Sequence, residues 1–133
     1  MFTQIMVPVD LEHEIKQDKT FDAAAKLSLA YKAPIHLVSV IKESRKDKAK
    51  FLEALIGLAR QLSELTGAKV YPHPVQTDAV GDDLNPMLEI MAEDLGIDLI
   101  VMASHVPGFW EHIFASHAGY LASHSKLSVF VVR

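Results

Sequence analysis

The 133-residue chain has no cysteine, so neither disulfides nor thiolate metal sites can form. That absence fits a reducing compartment. No apolar run approaches the ~20 residues a membrane-spanning helix requires. The opening "MFTQIMVPVD" lacks the basic start, long apolar stretch and small-residue cleavage site of a secretory signal. A cytoplasmic domain, not attached to a membrane, is the expectation. Excess positive charge is also missing. The formal net charge is −4, poorly suited to a nucleic-acid backbone without a local basic patch. The one dense basic cluster, "KESRKDKAK" from Lys42 to Lys50, is interrupted by Glu43 and Asp47 and reads as a solvated loop and helix start.

What is present is apolar and periodic. Hydrophobic residues make up 50% of the chain and charged residues 23%, which excludes a disordered chain and suits one compact domain spanning residues 1–133. "QIMVPVD", Gln4 to Asp10, is a continuous apolar run of the kind found in strands covered on both faces. A polar loop follows, and a helix is predicted from Thr20 as N-cap, with Phe21, Ala24, Ala25 and Leu27 on its apolar stripe. Pro34 marks a boundary before a second buried strand, Ile35 to Ile41. A long amphipathic segment runs from about Lys46 to Leu65, with Gly67 placed to stop it.

"KVYPHPVQT", Lys69 to Thr77, is restricted to an irregular or edge strand because Pro72 and Pro74 lack N–H groups. Gly81 opens a turn, and Asp82 or Asp83 caps a helix that takes Pro86 in its first turn and ends at Gly96. "DLIVMAS", Asp98 to Ser104, is the most hydrophobic strand. A helix over roughly Glu111 to His124 and the strand "SVFVVR" finish the chain. Strands alternating with helices predict an α/β fold, a mainly parallel open sheet with helices on both faces. Ligands of such sheets lie beyond the carboxyl ends of the strands, where strand order reverses. Asp10 and the segments after Val40 and Ala103 occupy those ends, and the strand-end rule favours ligand contact for Asp10 over a cap or a general base.

Across its whole length the chain resembles the universal stress protein family. The resemblance rests on "QIMVPVD", on "LVSVI" after the first helix, on "VGD" before the third, and above all on "DLIVMASH" and "ASHAGYLASHSKLSVFVVR". An "ASH" start with a shortened loop is similar to one subgroup of the family. The resemblance implies a Rossmann-like sheet of order 3-2-1-4-5 that binds ATP or another adenine nucleotide, with Mg²⁺. It places Val9 and Asp10 at the adenine, Val40 as a backbone contact, Met102, Ala103 and His105 along the turn, and Ser116 and His117 at the phosphates. Helix N-termini and backbone amides supply such anion contacts on physical grounds. The family's glycine pattern is replaced by Ala103, Val106 and Ala115, which leaves Gly108 in "VPGF" as a type II turn glycine. The phosphate site is altered, not erased.

His105, His112, His117 and His124 lack the helical i, i+4 spacing of a zinc motif, so no metal site is expected there. Ser104 and Ser116 lack the Gly-x-Ser-x-Gly elbow of a nucleophile, and the turn offers Glu111 alone as a base. A non-enzymatic, nucleotide-binding regulatory domain is the leading reading. The alternatives are a stress protein that acts through protein contacts without nucleotide, and a slow ATP hydrolase. The apolar terminal strand is a pairing surface unless it is covered, and the resemblance implies a homodimer through it.

Overall fold

The computed structural model describes residues 1–11, 18–79, 83, 85–103 and 127–133. The described elements run β1 (Ile5–Pro8), α1 (Asp18–Tyr31), β2 (Ile35–Ile41), α2 (Lys48–Thr66), β3 (Val70–Gln76), α3 (Asn85–Asp94), β4 (Leu99–Ala103) and β5 (Ser128–Val132). The strands form one sheet of order β3-β2-β1-β4-β5, as expected. All four neighbouring pairs are parallel. The predicted last helix lies outside the described residues.

Each strand alternates its side chains between two apolar layers. Ile5, Val7, Val9, Leu37, Leu99 and Val101 form one layer with Ala24 of α1 and with Leu55 and Ala59 of α2. Met6, Val38, Val75, Ile100 and Met102 form the other with Ala92 of α3 and Ile97. Burial on both faces explains why the central strands are uninterrupted apolar runs.

The helix stops are local and chemical. Gly67 takes φ 78° and returns its N–H to Ser63 O at 2.9 Å, the single-bond left-handed cap. Gly96, at φ 65°, donates to Glu93 O at 3.0 Å while Ile97 donates to Ala92 O at 2.8 Å, the two-bond Schellman form. The end of α1 uses no glycine. Lys32 takes φ 55°, Ala33 donates its N–H to Ser28 O at 3.0 Å, and the Ser28 hydroxyl bonds Ala33 O. At the other end, α1 begins at Asp18, two residues before the predicted cap, and Thr20 lies inside it with 2% of its surface exposed.

The strand containing Pro72 and Pro74 pairs with β2 at all seven of its positions. Its hydrogen bonds show how. Ile35 donates to Lys69 O at 2.8 Å and Thr77 donates to Ile41 O at 3.1 Å, so the odd-numbered residues of this strand turn their polar groups toward β2. Pro72 and Pro74 fall on the even positions. The N–H groups they lack would have pointed away from the sheet, so the ladder loses nothing and the outer edge loses two donors.

Candidate functional site

The same parity reading locates where pairing stops at the centre of the sheet. Val9 donates to Val38 O at 2.9 Å, and Leu99 donates to Gln4 O at 3.3 Å. The odd-numbered N–H groups of β1 therefore face β2, and the even positions face β4. Pro8 is an even position, and the donor it lacks is one β4 would have received. Pairing of β1 with β4 accordingly ends after Ile5↔Leu99 and Met6↔Ile100, whereas β1 stays paired with β2 through Pro8↔Val38. The strand order reverses between β1 and β4, where open α/β sheets place their ligands.

The predicted residues that are described, Val9, Asp10, Val40, Met102 and Ala103, gather at that level. Continuing the β1–β2 register sets Asp10 beside Val40, and continuing the β1–β4 register sets Val9 level with Ala103. Their accessibilities separate them. Val9 is 1% exposed and Met102 2%, so both side chains belong to the core. Asp10, Val40 and Ala103 are half-buried and border the strand ends. His105, Ser116 and His117 lie outside the described residues, as do Val106, Gly108, Glu111 and Ala115.

One residue here was not singled out by sequence pattern. Ser39 is 1% exposed, and its hydroxyl has no hydrogen-bond partner among the described residues. A lone serine in the apolar run "IHLVSVI" is the signal that marks it.

The basic segment after β2 is held at the same end of the sheet. Asp78, just past β3, accepts the Ser44 N–H at 2.9 Å and the Ser44 hydroxyl at 2.7 Å. The Ser44 backbone bond, then its hydroxyl, keep the Asp78 carboxyl below the usual carboxylate range. Arg45 reaches Asp47 with Nε at 2.9 Å and with a terminal nitrogen at 3.2 Å, and its guanidinium lies 4.3 Å from the Phe51 ring centroid. That bond from Arg45 holds the Asp47 carboxyl below its ordinary value. With its carboxylate engaged, Asp47 precedes α2 without a side-chain cap. The interruptions in "KESRKDKAK" thus pair internally, including Lys48 with Glu43 at 3.5 Å, as a solvated loop would.

Among the described residues no group of three or more His, Cys, Asp or Glu is assembled that could hold a metal, and no helix is long and apolar enough to cross a membrane.

Comparison with known proteins gives a concordant result. A family model described as the universal stress protein family matches residues 1–133. Universal stress protein G of Escherichia coli O157:H7 is 29% identical over 148 residues, covering 100% of both chains. Among solved structures, the Archaeoglobus fulgidus universal stress protein in complex with dAMP superposes with a TM-score of 0.71 at 15% identity, covering 99% of this chain and 98% of that one. A universal stress protein in complex with cAMP gives 0.65 at 17% identity, with coverages of 99% and 97%.

Proposed function

The chain belongs to the universal stress protein family, and we propose that it is a cytoplasmic, non-enzymatic regulatory domain that binds an adenine nucleotide at the carboxyl ends of β1, β2 and β4. The observation that carries this reading is the ending of β1–β4 pairing at Pro8, which sets half-buried Asp10, Val40 and Ala103 around the point of strand reversal. Asp10 is an acceptor for an exocyclic amine, and the backbone at Val40 offers edge contacts to a base. Relatives of the same fold hold cAMP and dAMP, which supports an adenine ligand. ATP with Mg²⁺ is the fuller form of the proposal, with His105, Ser116 and His117 toward the phosphates. The "ASH" start and shortened loop support the further proposal that the chain falls in a subgroup with a shortened phosphate loop.

The unit is proposed to be a homodimer through β5. Ser128 donates to Asp98 O at 3.0 Å, so the alternate residues Val129, Val131 and Arg133 turn their N–H groups away from β4. Phe130 and Val131 are 45% and 41% exposed. An apolar strand with outward donors is a template for pairing.

The test is thermal unfolding of nucleotide-free protein titrated with AMP, cAMP and ATP–Mg²⁺. Ligand at 100 times its dissociation constant should stabilise the fold by about 2.7 kcal/mol, several degrees for a domain this size. Asp10→Ala should reduce that shift. No shift with any of the three would replace this reading with one of protein contacts alone. Metal-dependent phosphate release that is lost in Asp10→Ala would replace it with the hydrolase.

A further inference from the structure

On the α3 side of the sheet, away from the strand ends, two imidazoles from neighbouring strands face each other. His36 on β2 and His73 on β3 are 37 residues apart in sequence, and Nδ1 of the first lies 2.7 Å from Nε2 of the second. The other nitrogen of His36, Nε2, lies 2.6 Å from Gln4 Oε1. The Tyr71 ring lies tilted against His36 with 5.8 Å between centroids. His36 is 7% exposed, whereas His73 is half-buried and reachable from solvent.

The geometry points to a two-histidine site for a borderline divalent transition cation of the Zn²⁺ class, with His36 Nδ1 and His73 Nε2 as its ligands. Gln4 accepts the Nε2 proton of His36, which fixes the tautomer and leaves the Nδ1 lone pair aimed at His73. A hydrogen-bonded outer nitrogen of this kind is the usual companion of a metal-ligating histidine. Without metal, His73 Nε2–H donates to that lone pair. With metal, His73 carries its proton on Nδ1 instead, and both lone pairs meet the ion with no net proton released from the neutral pair. Nitrogen–metal bonds of about 2.0–2.1 Å at a tetrahedral angle put two ligand nitrogens roughly 3.3 Å apart. The rings therefore need to part by about half an ångström from the observed contact and to swing by roughly 35° each, so that both lone pairs meet the ion.

The backbone is suited to holding that geometry. His73 sits between Pro72 and Pro74, each with φ fixed by its ring, in a strand paired along its whole length. Burial lowers the pKa of both imidazoles, and His36 is lowered further by the charge of His73. Two protein ligands leave the remaining positions to water, as in an exchangeable site rather than a closed structural one. Imidazole favours zinc, copper and nickel over magnesium and calcium.

The experiment is calorimetric titration of Zn²⁺ into the full chain, stripped with chelator and free of nucleotide, at pH 7.5. Saturable binding is expected. It should weaken at least tenfold in His73→Gln, and about tenfold or more in Gln4→Ala, which leaves both ligands but removes the hydrogen bond that orients His36. Imidazole ¹⁵N spectra of the unmutated chain should show His73 passing from the Nε2–H to the Nδ1–H form on zinc addition, a readout that does not depend on whether a variant folds. Absence of saturable binding, or an unchanged His73 tautomer in zinc-saturated protein, overturns the proposal. So does binding unaffected by His73→Gln, which would place the ion on other histidines. Because nucleotide is absent, none of these results bears on the strand-end site.

Discussion

Asp98 is joined to Thr3 twice, accepting its N–H and its hydroxyl each at 2.8 Å, and it takes the Gln4 N–H at 3.1 Å as well. One carboxylate thus fastens the chain's first residues to the start of β4. Burial alone would raise its pKa, but the bonds from Gln4 and Thr3 outweigh that and hold it below the usual range. Asp98→Ala should cost about 1 kcal/mol through loss of these charge-assisted hydrogen bonds, since water can take up the exposed Thr3 donors, read as a lower urea midpoint with unchanged slope. The depressed pKa adds a pH dependence. The contribution is complete above the unfolded value of 3.8 and is lost as pH falls through the lower folded value.

The histidine pair titrates at higher pH. Both imidazoles have folded pKa values below 6.5, because burial penalises the cation, so the unfolded chain binds more protons between those values and 6.5. Stability is therefore complete above pH 6.5 and declines as pH falls through the folded values. Urea midpoints measured from pH 8 to pH 5 in metal-free buffer should fall over this range. His73→Gln should flatten that decline.

Ser39 carries the opposite expectation. A buried hydroxyl with no partner among the described residues loses its hydration without a hydrogen bond in return, at about 1–3 kcal/mol. Ser39→Ala should leave ligand-free protein equally stable or up to about 1 kcal/mol more stable, because the lost penalty offsets the small void. A loss above about 2 kcal/mol in chemical denaturation would show that the hydroxyl has a bonding role in the fold.

Pro72 and Pro74 predict an effect on association rather than on folding. Replacing both with valine restores two outward N–H groups on β3 and should leave the β2–β3 ladder intact. Light scattering should then show self-association beyond that of the parent protein. Unchanged scattering would mean that the prolines do not guard this edge.

Legibility followed the range of each interaction. β2 could be bounded from "APIHLVSVI" because Pro34 and the apolar run act locally, and the stops at Gly67 and Gly96 are written in single residues. Thr20 misled because a hydroxyl before an apolar stripe is also what a buried third residue of a helix looks like, and burial depends on the sheet beneath. Proline spacing in "YPHP" declared an edge, but the full pairing depends on which parity faces β2, a property of register. Asp10 and Val40 could be placed at strand ends from the order of elements. The burial of the Val9 and Met102 side chains required the two packed layers. The His36–His73 contact could not be read in advance, since it joins strands through an offset that no local pattern encodes.

Pro8 ends the central pairing by an omission. At the level where β1 and β4 stop pairing, the N–H that β1 would have donated does not exist. A missing donor of this kind cannot be titrated or screened by salt. The early end of the ladder is written into the chain before any guest arrives, so a guest at this level has no β1–β4 bond from Pro8 to break.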